Sequence, residues 1–259
     1  MRTVTRDPNM KKPISFRAFI DLSNINSGRT VCESSTLLES EIKLPPGDNA
    51  IMAPGRYNPP TIGHQAMVKL LIKKAKELST AESKVIPVVV IVAGAKSSMD
   101  KQKNPLSADE RVKIFEKRWG NQVKVLVSAD PISAAKELQD QGINATFVVS
   151  GSDRSYKDVL DKYAPIDGFE HHAVPMPSER QKPLEQEAFL ADLEKTGKTP
   201  DISAVSGSLA KKAVQLGYRK AFRALVQDHG TPSDADVDKI FDKVQDALNE
   251  PVPTKKKAK

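Results

Sequence analysis

The hydrophobic residues of this 259-residue chain change their spacing repeatedly between positions 49 and 150. Residues 85–93 form a continuous, largely β-branched run, VIPVVVIVA, which is typical of a strand buried on both faces of a parallel sheet. Shorter apolar runs predict further strands over 50–53, 123–128 and 145–150.

Between these runs the apolar residues recur at helical spacing. A first helix is predicted over 64–78 and a second over 107–119, where Ser107 and Glu110 form a capping box. A third helix is predicted over 132–142 and ends at a glycine. The alternation of strands and helices predicts a three-layer, Rossmann-like α/β domain with a parallel sheet, whose strand C-terminal ends share the ligand-binding edge.

The last hundred residues predict one more strand followed by helices. The strand is expected over 169–176, and helices are expected over 183–197, 206–226 and 233–249, with a break at Gly217. On the last helix one apolar stripe predicts packing against the rest of the domain rather than a partner site. The stripe consists of Val237, Ile240, Phe241, Val244 and Leu248.

Composition shifts divide the chain into four parts. Residues 1–48 form a polar N-terminal extension, with a short amphipathic helix expected over 14–22. The α/β domain is expected over 49–215 and a C-terminal helical segment over 216–250. Residues 251–259 read as a disordered basic tail. The extension packs loosely on the body or serves as a docking peptide; the sequence leaves both open.

The overall composition restricts the class of protein. Charged residues make up 28%, and no stretch of 18 apolar residues occurs, so no membrane span is expected. Cys32 is the single cysteine, which excludes an intramolecular disulfide and a cysteine-based zinc site and suits the cytoplasm. The net charge is +7, but four of those charges lie in the tail KKKAK, so nucleic-acid binding is weakly supported and a nucleotide ligand fits equally well.

The segment with most chemical information is APGRYNPPTIGHQAM, residues 53–67, between the first strand and the first helix. Gly55 permits a tight turn, and Gly63 lets the backbone approach a ligand closely. His64 falls in the first helical turn, where free N–H groups and the helix dipole favour an anion. The segment therefore predicts a phosphate-binding loop, although a histidine at a helix start is by itself more often a structural hydrogen-bonding group.

GRYNPPTIGH resembles the GxFxPxHxGH signature of the nucleotidyltransferase superfamily that is named for its HIGH motif. This superfamily includes nicotinamide-mononucleotide adenylyltransferases and several cytidylyltransferases. The signature falls on Gly55, Tyr57, Pro59, Thr61, Gly63 and His64. Thr61 stands where the signature has its first histidine, and a hydroxyl can also donate to a phosphate oxygen.

Two segments after the second and fourth strands also match members of this superfamily. KNPLSADERVKIF, residues 103–115, is similar to a stretch that follows strand two, and VVSGSDR, residues 148–154, is similar to a strand-end GxDR segment. The resemblance implies that these segments lie along the path of the acceptor or the phosphates. The side chains it implies there are Lys96, Lys103, Asn104, Arg111, Asp153 and Arg154.

VSGSLAK, residues 205–211, resembles the superfamily's ISSTxxR motif. The resemblance implies that Ser206 and Ser208 bond the β- and γ-phosphates from a second helix N-terminus. Lys211 occupies the basic position, which keeps the charge of arginine but loses its bidentate fork, and Lys212 is the alternative for that position. Taken alone, SGSLAKK is an ordinary serine-capped helix start.

The resemblance implies an enzyme that joins a nucleoside triphosphate to a phosphate-bearing acceptor and releases pyrophosphate. It implies catalytic roles for His64, Thr61 and Lys211 and a nucleotide-binding set at the two motifs. That set comprises Gly55, Arg56, Tyr57, Asn58, Gly63, Ser206, Gly207 and Ser208. Mg²⁺ is expected to arrive with the triphosphate, and no site made of protein ligands is predicted, because His171 and His172 point to opposite faces of a strand.

The donor and acceptor are less clearly indicated. NPLSADER favours ATP as donor and nicotinamide mononucleotide as acceptor, with NAD as product. The alternatives are cytidylyl transfer to a sugar- or lipid-head-group phosphate and a catalytically silent nucleotide-binding or virion-associated protein. The N-terminal piece ahead of the signature is similar to phage-type members, and the sequence leaves a homo-oligomer open.

Overall fold

The structure is a computed structural model that describes residues 44–94, 100–150, 156–165, 171–175, 185–228 and 232–250. The predictions for residues 1–43 and for the basic tail lie outside these ranges. Of the site residues suggested by the sequence, Lys96, Asp153 and Arg154 also lie outside the described residues.

A parallel sheet of five strands forms the centre of the domain, in the order β3-β2-β1-β4-β5. The strands are β1 (Asn49–Gly55), β2 (Val85–Val92), β3 (Lys124–Ser128), β4 (Asn144–Ser150) and β5 (His172–Pro175). Every strand predicted from the apolar runs is confirmed. Because β1 lies between β2 and β4, the strand order reverses beside β1, and the carboxyl end of β1 faces the crevice where such sheets bind ligands.

The helices follow the predicted order. They are α1 (Ile62–Leu78), α2 (Ala108–Trp119), α3 (Pro131–Asp140), α4 (Tyr156–Tyr163), α5 (Gln186–Thr196), α6 (Gly207–Gln215), α7 (Arg219–Val226) and α8 (Asp234–Asn249). The predicted capping box starts α2: Glu110 N donates to Ser107 Oγ, and Ser107 N donates to Glu110 Oε2 at 2.9 Å. Gly217, at φ 74°, separates α6 from α7 as expected. The sequence analysis did not predict α4, a short helix of eight residues that buries Leu160.

Helices cover both sides of the sheet. On one side of the sheet, Met52 and Val90 pack with Leu138 of α3 and Leu160 of α4. Helix α1 also packs on the sheet, against β1 and β2. The C-terminal helices form a second core around Phe222. The stripe on α8 lies in this second core, so its predicted packing role is confirmed. Within the described ranges, no helix has both the length and the apolar composition needed to span a membrane.

Candidate functional site

The loop after β1 is built around a buried aromatic ring. Tyr57 is 1% exposed, has φ 49°, and donates its hydroxyl to Ala53 O. A Cβ atom at Gly55 would lie 3.0 Å from Cζ of that ring, so a glycine is what allows the tyrosine to fold back over the chain. The ring meets His64 edge-on with centroids 4.9 Å apart, and burial raises the pKa of Tyr57 well above its ordinary value. Tyr57 therefore fixes the shape of the loop and packs against the His64 ring.

Two buried polar side chains tie this loop to the segment before α2. The Asn58 amide donates to Leu106 O at 2.8 Å and accepts from Leu106 N at 3.0 Å. Arg111, which is 2% exposed, donates to Arg56 O at 2.6 Å and to Ser107 O at 3.1 Å. Burial lowers the pKa of Arg111. Both side chains bond backbone groups of neighbouring segments and so fix the loop's shape.

The N-terminus of α1 presents His64 in a defined tautomer. Thr61 N donates to His64 Nδ1 at 3.0 Å, in the way that a glutamate closes a capping box. Because Nδ1 accepts this bond, the proton of the neutral imidazole lies on Nε2, which makes Nε2 the donor. Thr61 itself is 1% exposed, with Oγ1 3.0 Å from Nδ1. The first turn of α1 contains no acidic residue, so no carboxylate from that turn offsets the positive end of the helix dipole.

The N-terminus of α6 packs directly against this loop. A Cβ atom at Gly207 would lie 3.3 Å from Asn58 O, and one at Gly63 would lie 3.7 Å from Val205 O. The first turns of α1 and α6, which are distant in sequence, are thus neighbours. Ser206 Oγ caps α6 by accepting from Leu209 N at 3.1 Å. A hydroxyl that accepts in this way still has a proton to donate.

Positive charge is concentrated beside these two helix starts. Lys211 Nζ donates to Lys103 O at 3.0 Å, and Lys103 Nζ lies 2.8 Å from Asp100 Oδ2. Burial lowers the pKa of Lys211, and the charges of Arg56 and Lys103 lower it further, while Asp100 opposes the shift. We call Arg56, Lys103 and Lys211 the cationic cluster.

Lys212 lies elsewhere. Its Nζ is 2.7 Å from Glu187 Oε1, and the Glu187 side chain is 70% exposed. Of the two candidate lysines, the structure therefore places Lys211 in the cationic cluster and Lys212 in a surface ion pair. Sequence reasoning did not consider Asp100, although its three-residue spacing from Lys103 is a recognisable pairing signal.

Five of the sequence-suggested residues come together at the junction of α1 and α6. They are His64, Gly63, Gly207, Ser206 and Lys211. Ser208 is exposed in the first turn of α6, and Asn104 is buried, with its N–H donating to Asp100 O at 2.8 Å. The binding and catalytic roles of all these side chains remain predictions.

The buried histidine on the far side of the domain is structural. His171 is fully buried, and its two ring nitrogens bond Ala145 O and Ala164 O, while His172 lies beside the Phe147 ring. Among the described residues, no group of three or more His, Cys, Asp or Glu side chains is arranged to hold a metal ion.

Comparison with known proteins places this chain in a family. The cytidylyltransferase-like family model matches residues 52–205. A search of the curated proteins gives no significant match. The chain is similar to two solved structures of the Plasmodium falciparum nicotinic acid mononucleotide adenylyltransferase, complexed with APC and with NaAD, at 14% and 13% identity. The alignments cover 75% of this chain and 97% and 98% of those chains, with TM-scores of 0.40 and 0.41. Because the family match spans more than half of its residues, the chain belongs to the cytidylyltransferase-like family of nucleotidyltransferases.

Proposed function

We propose that this protein transfers AMP from ATP to the phosphate of nicotinamide mononucleotide, forming NAD and releasing pyrophosphate. The observation that supports a polyphosphate ligand most strongly is the proximity of the N-termini of α1 and α6, with the cationic cluster beside them. Helix N-termini and lysines are the groups that proteins use to bind phosphates.

In the proposed reaction an oxygen of the acceptor phosphate attacks the α-phosphorus of the triphosphate. The bond from that phosphorus to the bridging oxygen of the β-phosphate breaks, and its electron pair leaves with pyrophosphate. No covalent enzyme intermediate is required, so the protein contributes positioning and charge stabilisation.

Each helix start has a separate task in this proposal. His64 donates from Nε2 to an α-phosphate oxygen, where negative charge grows as the new bond forms. Lys211 and the first turn of α6, including Ser206 and Ser208, hold the β- and γ-phosphates and stabilise the leaving pyrophosphate. Arg56 and Lys103 supply further positive charge at the same place.

The substrate is the Mg²⁺ complex of the triphosphate. The cationic cluster with one nearby carboxylate suits a metal ion that arrives on phosphate oxygens and keeps several waters. Asp100 is the side chain that would contact those waters. When bound, Mg²⁺ supplies additional neutralisation of phosphate charge.

The nucleotide and acceptor are tested together in one experiment. The purified protein is incubated with Mg²⁺, each of the four common nucleoside triphosphates, and a panel of acceptors. The panel contains nicotinamide mononucleotide, nicotinic acid mononucleotide, glycerol 3-phosphate, phosphocholine and a sugar 1-phosphate. Pyrophosphate release is measured, and the nucleotidyl product is identified by mass spectrometry.

We expect the highest rate with ATP and nicotinamide mononucleotide. CTP with a sugar- or head-group phosphate as the preferred pair would replace the proposed substrates and keep the reaction class. Absence of pyrophosphate and product across the whole panel, from a protein that binds triphosphate, would refute the enzymatic proposal and support a silent nucleotide-binding protein. A Lys211→Ala variant run in parallel controls for contaminating activity.

A further inference from the structure

Thr61 is the N-cap residue of α1 and lies three positions before His64. Its place in the signature implies a direct role in the reaction, but the residue is only 1% exposed. A side chain with so little accessible surface cannot donate to a phosphate oxygen in the crevice. Any role of Thr61 in the reaction is therefore exerted through a neighbouring group.

The neighbouring group is the imidazole ring of His64. Thr61 N donates to His64 Nδ1 at 3.0 Å, and Thr61 Oγ1 lies 3.0 Å from the same nitrogen. Because Nδ1 accepts from the backbone N–H, it carries no proton, so the hydroxyl can pair with it only as a second donor. Both donor groups of Thr61 thus converge on one lone pair of His64, and the hydroxyl proton is not available to a ligand.

This arrangement selects one protonation state of His64. A proton on Nδ1 would face the N–H of Thr61, so the imidazolium and the other neutral tautomer would both break the bonds to Thr61. The state that remains is the neutral ring with its proton on Nε2. That state is the one that donates from Nε2 in the proposed reaction.

A second contact holds the ring from another direction. The Tyr57 ring meets the His64 ring edge-on, at an interplanar angle of 70° and a centroid distance of 4.9 Å. Tyr57 is itself buried and is held by the bond from its hydroxyl to Ala53 O. Thr61 and Tyr57 together restrict the orientation of the imidazole, and of the two only Thr61 also determines where its proton lies.

We propose that Thr61 is a positioning residue, which acts on the reaction through His64 and touches no substrate. Its two donors hold the imidazole in the neutral state with the proton on Nε2, in the orientation that donates to the α-phosphate. A donor that is already oriented stabilises developing charge without reorganisation at the moment of reaction. This inference rests on the proposed function of His64.

The state of His64 in the free protein is tested by ¹⁵N NMR of the histidine side chains at about pH 8, where an ordinary histidine is neutral. The chain has four histidines, and the signals of His64 are those that His64→Ala removes. We expect Nδ1 to be unprotonated and Nε2 to carry the proton. Thr61→Val, which removes the hydroxyl and keeps the shape of the side chain, should shift the Nδ1 resonance, and Thr61→Ser should restore it.

Thr146→Val is the matched control. Thr146 is fully buried, and its hydroxyl donates to Asn49 Oδ1 at 2.6 Å, at the amino end of the sheet and so away from the site. This variant loses one buried hydrogen bond, as Thr61→Val does, and therefore separates general destabilisation from an effect on His64. Melting temperatures are measured for both variants, and Thr146→Val should leave the His64 signals and kcat unchanged.

Kinetics test whether the effect reaches the reaction. Thr61→Val should lower kcat by roughly 3- to 10-fold, the effect of one hydrogen bond, and should leave KM for the triphosphate within about twofold. A residue that acts only through His64 has no effect once that ring is gone, so adding Thr61→Val to His64→Ala should lower kcat no further, within about twofold. Thr61→Ser keeps the hydroxyl and should retain most of the wild-type kcat.

Two kinds of result would overturn the proposal. A proton on Nδ1 of His64, or an Nδ1 resonance that Thr61→Val leaves as unchanged as Thr146→Val does, would show that the Thr61 hydroxyl does not hold the ring. An equal reduction of kcat by Thr61→Val in the wild-type and His64→Ala backgrounds would show that Thr61 acts independently of His64. Wild-type turnover of His64→Ala would instead refute the proposed function of His64, and the NMR signals of the free protein would still decide whether Thr61 holds the ring.

Discussion

Replacing Lys211 or Lys212 by alanine compares adjacent lysines on the same helix that the structure places in different environments. Lys211 lies in the cationic cluster, and Lys212 pairs with Glu187 at the surface. If polyphosphate binds at the start of α6, Lys211→Ala should impair triphosphate use and Lys212→Ala should not.

The expected size follows from what each side chain contacts. A charge-assisted hydrogen bond contributes about 1.5–3 kcal/mol, which corresponds to roughly 10- to 150-fold in an equilibrium or rate constant. Lys211→Ala should therefore lower kcat/KM for the triphosphate by about 10- to 150-fold and weaken inhibition by pyrophosphate by a similar factor. An exposed ion pair contributes at most about 1 kcal/mol to stability, so Lys212→Ala should leave kcat/KM within about twofold.

The pKa of Lys211 adds an independent readout. Burial and the neighbouring cations lower this pKa, so the site loses its charge at a lower pH than an ordinary lysine does. The profile of kcat/KM against pH reports ionisations of the free enzyme. On its alkaline side, kcat/KM should therefore begin to fall at a lower pH than an ordinary lysine would cause. Lys211→Arg should move this fall to higher pH, because arginine stays charged.

Folding stability separates a functional from a structural lysine. A lowered folded-state pKa means that the folded protein binds fewer protons than the unfolded chain between the two pKa values, so stability rises with pH through that window. Lys211→Met removes this unfavourable charge and loses one hydrogen bond to Lys103 O. Its free energy of unfolding at neutral pH should therefore stay within about 1 kcal/mol of wild type.

Steady-state assays of pyrophosphate release and chemical denaturation of the same samples provide the measurements. Equal kcat/KM for the Lys211→Ala variant and wild type would refute the placement of polyphosphate at α6. If the loss of activity matched the loss of folded protein, the result would refute a role of Lys211 in phosphate binding and support a role in folding.

The remaining predictions concern the two helix starts. His64→Ala should lower kcat by roughly 10²- to 10³-fold, as loss of one preorganised donor does, and turnover equal to wild type would contradict its role. Gly207→Ala should lower the melting temperature, since its methyl group would meet Asn58 O at 3.3 Å, whereas Gly63→Ala, with contacts at 3.7 Å, should not. Inorganic tripolyphosphate without a base should raise the melting temperature of wild type more than that of Lys211→Ala, and equal shifts would place the phosphates elsewhere.

The parts of the fold that the sequence predicts are those determined by local pattern. The β-branched run 85–93 indicates β2 because a strand covered on both faces needs apolar residues at every position. Ser107 and Glu110 locate the start of α2 because a capping box involves residues three apart. Gly217 marks a break because its backbone has a positive φ that other residues adopt at a cost.

The candidate site could be predicted in its motifs but not in its supporting contacts. Asn58 and Leu106 are separated by 48 positions, so no local pattern shows that their groups pair. The choice between Lys211 and Lys212 likewise depends on Glu187 of α5, whose position is set by the C-terminal core. Such choices follow from tertiary packing, which motif spacing does not encode.

The arrangement at the starts of α1 and α6 has an electrostatic cost. Two neighbouring helix N-termini bring two positive dipole ends close together. Burial, and after it the charges of Arg56 and Lys103, lower the pKa of Lys211. Packing holds these groups in place through Gly207 against Asn58 and through Arg111 against the backbone of Arg56. If the triphosphate binds here, as we propose, it meets positive groups that are already in place, and such preorganisation is what nucleotidyl transfer requires.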